Sequence, residues 1–575
     1  MADQLYFSRD TRLFIQFRNQ DDEDDNTAGA GQLWEVPILD GYSFSQTTNT
    51  SEILLSEMES TVGVSSRGRR LFTDSLAPAE WSFSTYIRPF KSKGQTALDS
   101  AGQGVAGAEA GSGVDVHSVE EVLWAAMAGA DVYDSSTGIA TVDNLQNGTD
   151  TDRVEGTYTI TESDYTAAGG GSGASFTIAV NGSGVTTVSA VASPGDGYAV
   201  NDTITVASEK LGAAAGDTAF TFDVATLTTG AKGFRRAVNK VSGPVITPGA
   251  DKSTIVLTES NRSALHPMHL YFVIETDVDN PVIYKCAEAV VNEVSIDFDV
   301  EGIATLNWSG FAKEIEDRSV NFRRGTGTTL TVGQTGNATT PKRTQDGTDT
   351  DLLTVGDFYF QSDNASGTAV HMVKTVPGSG NLTLVQAIDE AVTSTNTFIR
   401  NRLTSIDITA DNKTVFPGGM VTNGDGKYSL TMTGGSFTIT NNITYLVPDE
   451  LGFVNKPLEH VTGARNVTGS ATCYLTLSDS DKTSGTSRQF FNDLVSTTAM
   501  SQVVNKFAVT LKIGGSAQAG TPSLVITMPN VHFEVPSHQV EDVISLESNF
   551  HALPADFGTA NELTNIEYYA PATYS

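Results

Sequence analysis

Only two cysteines, Cys286 and Cys473, occur in 575 residues. They stand far apart in strand-like runs. A disulfide framework or a cysteine-rich metal cluster therefore has nothing to build on, and both read as small buried hydrophobes. Basic residues are scarce too: 35 Lys and Arg face 68 Asp and Glu, for a net charge of -33. Such a field repels nucleic acid and excludes tight or sequence-specific DNA binding. It is compatible with a surface past which DNA slides without sticking; plain solubility is the other reading of the same balance. No stretch approaches the roughly 18–20 apolar residues of a membrane span. The start, MADQLYFSRDTRLFIQF, lacks a basic segment followed by an apolar run, so the expectation is synthesis and assembly in a cytosol.

Catalytic signatures are missing as well. His266-Pro-Met-His269 is the one close histidine pair, and it lacks the Glu and third ligand of a helical zinc motif. There is no G-x-S-x-G, no P-loop and no dinucleotide fingerprint. Gly169-Gly170-Gly171-Ser172-Gly173 has neither a following Lys-Ser/Thr nor a helix, which makes it a turn-rich loop. Acid pairs are abundant only because acids are abundant, so no glycosidase dyad can be argued. The expectation is a chain with no catalytic residue, no metal ligand and no cofactor.

What the chain does have is glycine (54 residues) with a visible surplus of Thr, Ser, Asn and Asp, the composition of short strands and many turns. Its length suggests three to four domains. RLFIQF, WEVPIL and WSFSTYIRPF alternate as strands near the start. Between the first two, Asp21, Asp22, Glu23, Asp24 and Asp25 form a run that cannot be buried and reads as a solvated loop tip. A calcium loop would space its oxygens around a glycine. HSVEEVLWAAMAG at 117–129 reads as an amphipathic helix of about three turns. Ser118 and Glu121 have capping-box spacing, and Val122, Leu123, Ala126 and Met127 share a face.

Residues 134–252 read as a small all-β unit, and 319–397 as a second β module or linker. Long strands occupy 253–318. In NEVSIDFDV, Val294, Ile296, Phe298 and Val300 fall on one side, and Ser295, Asp297, Asp299 and Glu301 on the other. That makes one side core and the other a stripe of acids facing water or a channel. Residues 398–575 repeat the style of the first block, with a second helix candidate at 486–498.

The repetition is also in the wording. YSFSQTTNTSEILLSE (42–57) and GSFTITNNITYLVPDE (435–450) align without a gap at Ser43/Ser436, Phe44/Phe437, Thr47/Thr440, Asn49/Asn442 and Glu57/Glu450. Tyr86 matches Tyr474, and PVIYKCAEAVVNEV parallels PSLVITMPNVHFEV. The order of elements agrees between the two blocks. The expectation is two copies of one β-rich domain with a single helix, the first interrupted by an insertion. A chain carrying two copies can close a six-fold ring from three subunits. The cations Arg67, Arg69 and Arg70 stand out in so acidic a chain and are expected to pair with acidic loops of a neighbour, among them 21–25; a merely solvated loop is the other reading.

At WEVPILDGYSFSQTTNTSEILLSEME, SRGRRLFTDSLAPAEWSFSTYIRPF, AVVNEVSIDFDVEGIATLNWSG and SFTITNNITYLVPDELGFVNKPLEHVTGARNVTGSATCYL the chain resembles the tail tube proteins of tailed bacteriophages. The resemblance covers roughly 1–133, 253–318 and 398–575. It implies a mainly β chain: two tandem tube-type β-sandwich or barrel domains, each with one flanking helix, plus the two inserted modules as decoration. Usual tube proteins carry one such domain, so this chain resembles the subset that forms trimeric rings with pseudo-six-fold symmetry. The implied partners are further copies of itself within and between rings, the tape measure, tail terminator, baseplate and any sheath, with DNA passing unbound. The implied location is the virion tail. The rival readings are a distal tail or baseplate hub protein present as one ring, and a tail adhesin whose β insertions do the work.

Overall fold

In the computed structural model the described residues are 6–17, 33–53, 70–91, 116–128, 138–148, 152–169, 171–196, 198–214, 216–227, 246–247, 249–257, 265, 267–274, 281–319, 322–325, 338–340, 356–361, 369–375, 382–389, 398–410, 427–447, 455–476, 486–495, 507–540, 543–554 and 561–571. The chain is mainly β. Among the described residues there are two α-helices, Glu121–Ala128 (α1) and Ser487–Leu494 (α2). It divides into two compact units, residues 133–244 and the remainder.

The smaller unit is a β-sandwich. One sheet has three strands, the other four, and Phe176, Ile178, Phe222 and Val224 fill the space between them. Arg153 is buried at its base but satisfied: it donates to Thr218 O at 2.8 Å and lies over the Phe220 ring. Its charge is therefore structural.

The larger unit contains two series of strands. The first comprises Thr11–Phe17 (β1), Leu33–Val36 (β2), Ser43–Ser45 (β3), Ala79–Tyr86 (β4), Met268–Ile274 (β5), Val282–Asp299 (β6), Thr305–Ala312 (β7) and Glu314–Asp317 (β8). The second comprises Ser405–Ala410 (β9), Lys427–Ser429 (β10), Met432–Thr440 (β11), Asn466–Tyr474 (β12), Phe507–Ile513 (β13), Ser523–Phe533 (β14), Ser537–Gln539 (β15), Ser545–Ala552 (β16) and Asn565–Tyr569 (β17).

Hydrogen bonding orders the first series β3-β4-β7-β6-β5-β1-β2, all antiparallel. The second is ordered β11-β12-β16-β14-β13-β9-β10, also antiparallel. The two orders are the same when each strand is replaced by its counterpart in chain sequence. α1 falls between β4 and β5, and α2 between β12 and β13. A two-stranded ribbon follows β3 (Thr48–Ile53 with Arg70–Leu76), and another follows β11 (Thr444–Leu446 with Glu459–Val461). β8 lies beside β6 as β17 lies beside β14.

The same contacts recur at side-chain level. Ser43 pairs with Ser82 across β3 and β4, hydroxyl to hydroxyl at 2.8 Å; Ser436 pairs with Ser470 across β11 and β12 at 2.9 Å. One buried slot is filled in opposite ways. Trp81 on β4 faces Gly310 on β7, whereas Gly469 on β12 faces Phe550 on β16. Each slot holds one aromatic ring, and the residue opposite must lack a Cβ.

The series join edge to edge, because Glu293–Asp299 of β6 pair antiparallel with Gly434–Thr440 of β11. A second join runs from Lys252–Ile255 to β17. The strands between 322 and 389 share a core with the first series, where Phe322, Phe358 and Phe360 pack on Phe14, Tyr271 and Val273.

The helices correct one sequence expectation. α1 is not amphipathic: all eight of its residues are buried. Its outer face is covered from far along the chain, where Trp124 Nε1 donates to Tyr568 Oη at 2.6 Å and Asn441 Nδ2 donates to Met127 O at 3.3 Å. It is also shorter than expected. Glu121 is its first residue, so the capping box reduces to a single bond from Ser118 N–H to Glu121 Oε2 at 3.4 Å. α2 has the complete box, with Thr486 and Gln489 bonded reciprocally.

Candidate functional site

The strand pattern across the join puts apolar side chains on one face and small polar ones on the other. Along β4 and β7 burial alternates strictly: Trp81, Phe83, Leu306 and Trp308 are buried, and Ser82, Ser84, Asn307 and Ser309 are partly exposed. β6 continues with Val294, Ile296 and Phe298 inside. Each such side chain withdrawn from water contributes about 1.5–3 kcal/mol, which fixes the face each strand presents. The rings are further located by hydrogen bonds from Trp308 Nε1 to Thr85 Oγ1 (3.0 Å) and from Trp81 Nε1 to Phe311 O (3.1 Å).

The wet face is continuous over both series. In register, one row runs Ser43, Ser82, Ser309, Glu293, Thr440, Asn466. The next runs Ser84, Asn307, Ser295, Thr438, Thr468, His551. A third runs Asp297, Ser436, Ser470, Asn549, and a fourth Asp299, Gly434, Thr472, Glu547. No lysine or arginine stands in any of these rows.

The acids in them are held by neutral donors. Thr440 Oγ1 donates to Glu293 Oε2 at 3.2 Å, and Asn307 Nδ2 to Asp297 Oδ2 at 3.5 Å while its Oδ1 accepts from Ser84 Oγ at 2.7 Å. The face is therefore a carpet of hydroxyls and amides carrying uncompensated negative charge. It can repel a polyanion, and among the described residues these four rows offer no lysine or arginine to hold one.

Asp297 and Asp299 lie exposed on this face. Two details of the expected stripe are corrected. β6 ends at Asp299, and the chain then turns through Gly302 at φ +98° into β7. Val300 therefore leaves the apolar side and is 47% exposed. Glu301 is exposed in the turn, where its N–H donates to Asp299 Oδ1 at 3.0 Å. Arg67, Arg69, Asp21, Asp22, Glu23, Asp24 and Asp25 lie outside the described residues. Arg70 opens a ribbon strand, and its side chain is likewise outside them. His266 is also outside, whereas His269 is buried and its Nδ1 accepts from Glu288 N–H at 3.1 Å. Cys286 and Cys473 are buried free thiols, pushed up to about 12 and about 11 by desolvation.

Sequence reading missed Glu293 and the serine and threonine rows. Their signal was present as period-two hydroxyls in WSFSTY and SFTIT, but which strands lie side by side is not written in either. It also missed that exposed apolar side chains gather at the two ends of the strands. Leu71 and Phe72 (ribbon after β3) and Leu446 and Val461 (ribbon after β11) are at one end; Val300, Ile303, Val543 and Ile544, in the turns before β7 and β16, are at the other.

No family model matches the chain. Over 171 residues it is 34% identical to the tail tube protein pb6 of Escherichia phage T5, a stretch making up 30% of this chain and 33% of that protein. The match thus spans about a third of the relative's length. Within that stretch the chain is similar to a phage tail tube protein.

Proposed function

We propose that this chain is a structural subunit of a phage tail tube, located in the virion tail and without enzymatic activity. The observation that carries the reading is the continuous polar face shared by both series of strands, with no lysine or arginine in its four described rows, in a chain partly similar to a tail tube protein. In this reading residues 1–133 with 253–318 form one tube domain and 398–575 a second, with 134–252 and 319–397 as decoration. Three chains close a ring of six equivalent sectors. The polar face lines the lumen, and Asp297, Asp299 and Glu293 keep passing DNA from adhering. The equal strand orders and the matched Ser43–Ser82 and Ser436–Ser470 pairs support the duplication. The apolar side chains at opposite strand ends support head-to-tail stacking of rings, since stacked copies would cover both.

Negative-stain imaging of the purified full chain tests the reading. Hollow tubes with a regular ring repeat are expected; a persistent monomer or a single ring counts against it, the single ring favouring a hub protein.

Charge reversal tests the lumen assignment. Tubes of the Asp297→Lys, Asp299→Lys double variant should retain duplex DNA in a salt-dependent manner, because each cation offered to phosphate releases counterions. Wild-type tubes should retain none. Equal retention by both in a filter-binding assay at low salt would mean that these side chains face elsewhere.

A further inference from the structure

The second join, Lys252–Ile255 against β17, gathers a lysine, a glutamate and an asparagine on one face. In its antiparallel register Lys252 stands opposite Tyr569 and Thr254 opposite Glu567. Residues two apart on a strand share a face, so Asn565, Glu567 and Tyr569 line up beside Lys252 and Thr254. The other face of β17 belongs to the core, where Ile566 and Tyr568 are buried.

Glu567 connects the group and is itself buried. Its Oε1 accepts from two donors at once, Lys252 Nζ and Asn565 Nδ2, the latter at 2.9 Å. Its Oε2 accepts from Tyr569 Oη at 2.9 Å. Burial, and then the neighbouring carboxylate, push the Tyr569 hydroxyl up to about 12, so it remains a donor and holds Glu567 in place. Two donors on one oxygen are no more than two hydrogen-bond lengths apart, which sets the lysine amine beside the asparagine carboxamide. Asn565 Oδ1 is buried and accepts no hydrogen bond among the described residues. An unpaired buried carbonyl oxygen is costly, and it is the atom on which charge develops when an amine attacks a carboxamide.

We infer that Lys252 and Asn565 become joined by an isopeptide bond, with Glu567 as the proton carrier. Glu567 lies within hydrogen-bond reach of the proton it must take from Lys252. The freed amine pair then forms the Nζ–Cγ bond while the carbonyl π pair moves to Oδ1. That pair re-forms the carbonyl as the Cγ–Nδ2 bond breaks. In sum Nζ sheds two protons and Nδ2 gains two, carried by Glu567. A lysine ammonium and a carboxamide become a secondary amide and an ammonium ion, so atoms and charge balance without a co-reactant. Asn565 rather than Glu567 is the acyl group, because exchanging one amide for another removes no water. The Lys252 side chain is 43% exposed, which gives the ammonia a way out to solvent. Amine, base and carboxamide held in contact replace a bimolecular encounter. The event occurs once per chain and is no enzymatic turnover. It closes a covalent loop across the second join, and it does not depend on the tail-tube reading.

Mass spectrometry of the purified, denatured full chain tests the bond. The parent should be lighter than its sequence by one ammonia, and proteolysis should release a branched peptide joining Lys252 to Asn565. Lys252→Arg, which keeps the charge beside Glu567, and Glu567→Gln, which keeps the shape without the base, should both show the full sequence mass. The branched peptide is read on the parent alone, so the result stands even where a variant misfolds. A parent of full mass with no branched peptide overturns the inference and leaves Glu567 as a buried carboxylate with three ordinary donors. Ammonia loss that persists in Lys252→Arg also overturns it, as ring closure at an asparagine. Linkage retained in Glu567→Gln overturns the assignment of the proton carrier.

Discussion

Alanine at Gly310 is expected to destabilise the first series of strands by about 3 kcal/mol or more, the scale of severe overpacking. The added Cβ would stand 2.0 Å from the Val290 carbonyl oxygen and 2.6 Å from the Trp81 ring. The first contact is with backbone in the adjoining strand, so no rotamer change relieves it. β6 and β7 must separate just where the wall they form passes to β11. Gly469→Ala should behave the same way in the second series. Its Cβ would meet the Phe550 ring at 2.3 Å and the Ser436 carbonyl oxygen at 2.5 Å. Gly156→Ala, in the smaller unit, is the control: its nearest neighbour would be the Tyr158 ring at an ordinary 3.6 Å. Thermal unfolding of the dissociated chain is the measurement. If Gly310→Ala and Gly156→Ala unfold at the same temperature as the parent, the aromatic slot is looser than described.

Glu120 is expected to make the junction less stable as pH rises. It is fully buried beside Tyr568, with Arg88 N–H donating to its Oε2 at 3.3 Å and the His117–Glu121 pair close by in sequence. Desolvation raises its pKa from 4.5 to about 7, against smaller opposing contributions from the Tyr568 hydrogen bond and from Arg88. The sign follows from proton counting. Between about pH 4.5 and 7 the folded chain holds a proton that the unfolded chain has released, so stability falls with rising pH through this window and is flat above it. Over that span the loss is about 3 kcal/mol. Glu120→Gln should remove this slope and be the more stable protein at pH 8 by about that amount. Trp124 hydrogen-bonds Tyr568 and offers a local fluorescence probe for denaturation at pH 5 and pH 8. An unchanged slope in the glutamine variant would show that Glu120 holds its charge by other means.

Much of the strand content was legible because side-chain direction in a strand is local. Trp81, Phe83, Val294, Ile296 and Phe298 are buried as their alternation requires, and Ser82, Ser84, Asp297 and Asp299 point the other way. The pattern failed at Val300, where period two was carried one residue past the end of the strand into a glycine turn. It failed again at α1. There the sequence of the helix shows one apolar face, yet Tyr568 and Asn441 close over the other. The likeness in wording between YSFSQTTN and GSFTITNN was visible. That their serines make equal hydroxyl pairs, and that a tryptophan faces glycine in one series where a glycine faces phenylalanine in the other, was not.

By itself, then, the sequence determined the acidity, the alternation that gives each strand a wet and a dry side, and the doubled order of elements. Each of these depends on composition or on residues a few positions apart. The tertiary structure alone decided which strands are neighbours and in what register their hydroxyls and acids line up. Those depend on hydrogen bonds between segments well over a hundred residues apart, such as those of Asp297 with Ser436 and Lys252 with Tyr569. A strand's own pattern records which face it buries; it carries no mark of the edge it will share.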